Sequence, residues 1–200
     1  MQKGLLLVVS GPSGCGKGTV LKEVMKKQDL YYSVSMTTRE PREGEVNGVH
    51  YHFISKEQFE MMIAQNGVLE HAEYCGNYYG TPREVVEAMR NEGKDVVLEI
   101  EVVGAAQVRQ NCPDAVFIFI APPSMKELEH RLLGRGTEEG VVVQKRLEKA
   151  REELLYAPKY DYLVVNDSVE EAATDILQII AAEQIRHRNK EEKVKEVLES

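Results

Sequence analysis

The sequence predicts an α/β fold: a parallel sheet with helices on both faces, interrupted by two insertions. Three observations predict it. Apolar runs at residues 5–9, 96–100, 116–120 and 162–165 read as strands buried on both faces. Segments with helix start and stop signals lie between them. A glycine-rich loop follows the first run and leads into a helix, as at the switch point of an open α/β sheet.

Taken in order, the opening MQKGLLLVVSGP reads as the first buried strand. Its apolar stretch runs straight into the glycine loop, with no cleavage-type segment of a secretion signal. A helix begins near Lys17. Residues 35–81 break the alternation. They are rich in Tyr, Gly and charge, with short strand-like pieces around one helix whose start is marked by Ser55 and Gln58. Thr81-Pro82-x-Glu84 reads as the next helix start, and Gly93 suits that helix's C-terminus. Ser124 and Glu127 form another start signal. Residues 127–150 are the second excursion, helical at both ends with Gly134-Arg135-Gly136-Thr137 between. The predicted organisation is one domain over 1–200, with a core at 1–34, 82–126 and 151–200 and insertions at 35–81 and 127–150. The charged run 185–200 reads as a solvated helix end or tail.

Composition narrows the function classes. The chain has 200 residues, 42% hydrophobic and 29% charged, enough for one domain with a real core. No apolar run approaches the roughly 20 residues a membrane span needs. A net charge of −8 argues against nucleic acid as a partner. Cys15, Cys75 and Cys112 are odd in number and lack metal spacing, which fits a reduced cytoplasm. Monomer and homo-oligomer are both compatible with the sequence.

The loop Gly11-Pro12-Ser13-Gly14-Cys15-Gly16-Lys17-Gly18-Thr19 has the spacing and context of a phosphate-binding loop. Glycines let backbone N–H groups close around phosphate oxygens, and the helix N-terminus adds a positive dipole end. Lys17 supplies a mobile charge for β- and γ-phosphates. Gly18 stands where a metal-holding hydroxyl is usual, and Thr19 follows, so direct or water-mediated contact of Thr19 with Mg²⁺ both stay open.

A second anion site is written into residues 35–51, SMTTREPREGEVNGVHY. Arg39 and Arg42, three apart beside Pro41, suit a bidentate phosphate clamp. Taken singly, such arginines belong to an ordinary solvated loop, and tyrosines such as Tyr51 and Tyr79 to packing. Together they offer guanidinium and hydroxyl donors, while Glu70 and Thr81 add polar groups suited to a base. Glu99-Ile100-Glu101 closes the second strand, and period-2 alternation puts both carboxylates on one side at the sheet's C-terminal edge.

These segments resemble the guanylate kinase family. The resemblance is carried by GPSGCGKGT, SVSMTTREPREGEVNGVHYHF, GNYYGTP, FIAPPS and RLLGRGTEE, which span nearly the whole chain. It implies a parallel-sheet P-loop kinase core with inserted GMP-binding and lid subdomains, ATP and GMP (with dGMP) as substrates, and Mg²⁺ carried with ATP. By that resemblance Arg39, Arg42, Tyr51 and Tyr79 hold the GMP phosphate, with Glu45 in the same segment. Ser35, Glu70, Thr81 and Glu101 read guanine. Lys17, Arg131, Arg135 and Arg146 surround the transferring phosphates, and Asn166 lies near the adenine. Glu99 acts on the metal through water. Guanine presents two adjacent donors, which a carboxylate accepts; adenine would leave its oxygens unpaired. The chain departs from the family at Glu101, where Asp is usual, and at Val103, where Gln is common. Glu101 either reaches guanine or is displaced, leaving Glu70 as the main reader. Scaffold domains of similar sequence have damaged phosphate loops, whereas this loop is intact. Another phosphate-loop kinase with a different acceptor is the second alternative, against which Glu70 and Glu101 argue.

Overall fold

The computed structural model describes residues 2–134, 140–187 and 190–199. In chain order its elements are β1 (Leu6–Ser10), α1 (Lys17–Met25), β2 (Tyr31–Tyr32), β3 (Met36–Thr37), β4 (His52–Phe53), α2 (Lys56–Ala64), β5 (Val68–Tyr74), β6 (Asn77–Pro82), α3 (Arg83–Asn91), β7 (Val96–Glu99), α4 (Val102–Asn111), β8 (Val116–Ala121), α5 (Met125–Leu133), α6 (Gly140–Leu154), β9 (Tyr162–Val165), α7 (Val169–Arg186) and α8 (Lys190–Glu199). The four predicted runs become β1, β7, β8 and β9, with no end shifted by more than a residue.

These four strands and β2 form one parallel sheet, ordered β2-β7-β1-β8-β9. All five β1 residues are buried because helices cover both faces. Leu7 and Val9 point to one face, with Val20, Leu21 and Val24 of α1 and Ile176 and Ile180 of α7. Leu6 and Val8 point to the other, with Val86 of α3 and Ala105 and Val108 of α4. Each of these Val, Leu and Ile side chains contributes about 1.5–3 kcal/mol on burial. The central position of β1, between β7 and β8, sends the loop that follows it into the crevice where neighbouring connections diverge.

The first insertion builds its own sheet, ordered β4-β3-β6-β5, with β6 antiparallel to both β3 and β5. Phe59 of α2 is fully buried beneath it, stacked on Tyr78 with ring centroids 5.2 Å apart. Ser55 caps α2 in the reciprocal arrangement its spacing predicts. The start of α3 differs from expectation. Pro82 is its N-cap and makes no side-chain bond, because Thr81 is the buried penultimate residue of β6 and spends its hydroxyl elsewhere. The helices α5 and α6 share a small core of Leu128, Leu132, Val143 and Leu147. Among the described residues no helix is long and apolar enough to cross a membrane.

Candidate active site

The loop between β1 and α1 needs backbone angles that side chains resist. Gly14 and Gly16 have φ of 89° and 92°. At Gly16 space is closed as well: a Cβ there would lie 2.4 Å from Asn166 Nδ2. That amide donates to the Cys15 carbonyl at 2.7 Å. Asn166 follows β9 and is only 2% exposed, so the structure places it behind the loop as a brace. Cys15 is fully buried and burial pushes its thiol pKa up, which makes it packing rather than a nucleophile. Lys17 Nζ lies across the loop, donating to the carbonyls of Gly11 at 2.7 Å and Pro12 at 3.1 Å. The first turn of α1 holds no acidic residue, so its positive dipole end is left for an anion. Thr19 is exposed on that turn.

Two cavities meet in front of this loop. One, of about 410 Å³, is lined by Gly11, Ser13, Lys17 and Glu153. The other, of about 460 Å³, reaches Glu70, Tyr79, Gly80 and Gly104. Ser35, Tyr51, Glu99, Ile100 and Glu101 line both, so the two adjoin as one cleft.

The far end of the cleft is built around Glu70 on β5. It is 6% exposed, and the Thr81 hydroxyl donates to its Oε1 at 2.8 Å. Burial raises its pKa; the Thr81 bond works against that, and the nearby Glu101 charge adds to it. The helix α4 passes so close that a Cβ on Gly104 would lie 2.4 Å from Glu70 Oε2. Val103, also lining this end, is 56% exposed and offers only an apolar wall.

Glu99 and Glu101, equivalent by strand alternation, take different surroundings. Glu99 is half-buried and accepts from the Tyr32 hydroxyl at 3.1 Å, with a carboxylate oxygen 3.5 Å from where a Gly18 Cβ would stand. Glu101 is the N-cap of α4, exposed, and its Oε2 accepts from Lys149 Nζ of α6 at 3.0 Å.

In the 35–51 segment Arg39 and Glu45 form a two-pronged pair, both contacts at 3.0 Å. Glu45 also accepts from the Arg42 N–H at 2.7 Å. Arg39's bonds, then that N–H, hold the Glu45 carboxyl down to about 2. The structure therefore places Glu45 as the brace of Arg39, whose guanidinium lies 5.6 Å from the Tyr51 ring centre. Tyr51 and Tyr79 meet edge to face at 6.0 Å. Arg42 is exposed on the same loop.

From the second insertion, Arg146 of α6 reaches the phosphate loop, donating to Ser13 Oγ at 2.8 Å. Arg131 of α5 pairs with Glu127 one turn earlier, at 2.9 Å. Arg135 lies outside the described residues. Sequence reasoning missed Tyr32, Lys149 and Glu153. Tyr32 sits in a two-residue strand, and Lys149 and Glu153 read locally as an ordinary surface pair four apart.

Known proteins resemble this chain over nearly its whole length. A family model described as guanylate kinase matches residues 3–183. The guanylate kinase of Clostridium tetani (strain Massachusetts / E88) is 52% identical over 186 residues, covering 93% of this chain and 89% of its own. That of Bacillus subtilis (strain 168) is 50% identical over 200 residues, covering 99% and 98%. The crystal structure of guanylate kinase from Anaplasma phagocytophilum superposes with a TM-score of 0.74 at 35% identity, covering 92% of this chain and 88% of that one.

Proposed function

Because the chain belongs to the guanylate kinase family, we propose that its two joined cavities hold ATP and GMP side by side and that the γ-phosphoryl group passes where they meet. The activity is that of an ATP:GMP phosphotransferase. One observation supports the placement above others: the cavity that opens on the phosphate loop and the cavity that ends on the buried Glu70–Thr81 pair share the lining residues Ser35, Tyr51, Glu99 and Glu101.

In this reading, residues 11–19 wrap the ATP phosphates, and Lys17 leaves the carbonyls of Gly11 and Pro12 for the β- and γ-phosphate oxygens. Asn166 keeps the loop in shape for ATP. Residues 35–81 form the acceptor subdomain. Arg39, Arg42, Tyr51 and Tyr79 take the GMP phosphate, with Glu45 aligning Arg39. Ser35, Glu70, Thr81 and Glu101 face guanine, whose two adjacent donors match a carboxylate. Residues 127–150 act as the lid, bringing Arg131, Arg135 and Arg146 onto the transferring group and excluding water. The acceptor range includes dGMP, and the compartment is the cytoplasm.

Mg²⁺ fits the donors present. Thr19 and Glu99 are hard oxygen ligands flanking the start of α1, and an ion held mainly by nucleotide phosphates needs only one or two from protein. When bound it supplies charge neutralisation at the β- and γ-oxygens. Glu99, oriented by Tyr32, would hold its water shell.

An ADP-release assay with GMP, dGMP, AMP, CMP and UMP tests the reading, with Lys17→Ala as the blank. GMP should exceed AMP in kcat/KM by at least about a hundredfold, since a buried carboxylate is left unpaired by the wrong base. Comparable turnover of AMP or UMP would overturn the guanine assignment.

A further inference from the structure

The helix α6 presents three consecutive charged residues of one face to the cleft. Arg146, Lys149 and Glu153 are three and four positions apart, and so lie in line along the helix. Arg146 touches the phosphate loop at Ser13. Lys149 Nζ lies 3.0 Å from Glu101 Oε2 and 3.7 Å from Glu153 Oε1. It also stands 5.9 Å from the ring centre of Tyr74, on β5 of the first insertion. Glu101 and Tyr74 both line the acceptor end, whereas Glu153 lines the phosphate end beside Lys17. One lysine therefore meets the core, the first insertion and both ends of the cleft.

We infer that Lys149 is a positioning residue for the acceptor, holding Glu101 at the mouth of the GMP cavity and tying it to the helix that carries Arg146. The inference rests on the acceptor assignment made above. Its physical basis is reach and charge. Glu101 is exposed at the start of α4 and makes no capping bond of its own, so nothing on α4 fixes its carboxylate. Lys149 supplies that restraint through Oε2 and leaves Oε1 for a donor on the base. It also offsets a second acid at the mouth, because Glu70 and Glu101 repel one another across the cavity. Among the described residues the charged groups around the pair include Glu70 from β5, Glu101 from the start of α4, Glu153 and Lys149 itself from α6, and Lys17 of α1 acting on Glu153.

A double-mutant cycle decides it. Lys149→Met should raise the KM for GMP by roughly three- to tenfold and leave that for ATP within about twofold. Lys149→Arg should restore most of the loss. Glu101→Gln should raise the same KM, and the double variant should be no worse than Glu101→Gln alone. Both side chains are half-exposed or more, so the variants should fold, which melting curves check. Effects that multiply in the double variant, or a Lys149→Met loss shared equally by ATP and GMP, would overturn the inference. Absence of GMP turnover by the wild type in the same assay would instead overturn the acceptor reading, and the inference with it.

Discussion

At the scale of single residues the proposed acceptor site turns on Glu70. A buried carboxylate is costly to ionise, and guanine's two donors are bound best by its ionised form. Since burial raises its pKa, GMP affinity should fall as pH drops through that raised value, above the ordinary range near 4.5. Thr81 opposes the rise by donating to Oε1. Thr81→Val removes that donor, so the pKa climbs further and the acidic limb of kcat/KM for GMP moves to higher pH. At neutral pH the loss should be about tenfold, one hydrogen bond to a charged group. A pH–rate profile measures both, and an acidic limb that stays in place would assign it to another group. Glu70, Thr81, Tyr51 and Tyr79 could be named from sequence because each is a chemical group in a specific motif. Glu45 as Arg39's partner could not be derived, since a loop turn rather than a periodic spacing brings them together. Neither could the bracing task of Asn166, which spans 151 positions to reach the Cys15 carbonyl.

At the scale of elements, legibility followed length and burial. The runs that became β1, β7, β8 and β9 were plain because a strand covered on both faces is apolar throughout. The strands β2, β3 and β4 have two residues each, too few to show any period. The signal Thr81-Pro82-x-Glu84, taken as local capping, starts the helix α3 one residue early, because Thr81 serves Glu70 on the neighbouring strand instead. The contact between α4 and β5 carries a prediction of its own. Gly104→Ala puts a methyl 2.4 Å from Glu70 Oε2, too close for both to stay. Alanine favours the helix by about 1 kcal/mol over glycine, so α4 should persist and Glu70 should yield. The KM for GMP is expected to rise about tenfold while that for ATP changes less than twofold. Steady-state kinetics beside thermal unfolding would show it, and an unchanged GMP constant would mean the helix shifts instead.

At the scale of the molecule, the proposed arrangement has a chain of net charge −8 meet two anionic nucleotides with cations gathered from three separate parts. Lys17 comes from the core, Arg39 and Arg42 from the first insertion, and Arg146 from α6. The donor loop itself is assembled from opposite ends of the chain. Its glycines lie at positions 11–18, but the amide that fixes Cys15 belongs to residue 166, and α7 beyond it packs on α1. During synthesis the loop is therefore translated first and completed nearly last. A nascent chain stalled near residue 160 carries every loop residue without Asn166 or α7, so ATP should not stabilise it, because a ligand stabilises only a state that binds it. Stalled ribosome complexes should retain a fluorescent ATP analogue only when the arrested chain extends far enough for α7 to emerge. Equal retention by the shorter chain would show that residues 11–19 hold their shape alone.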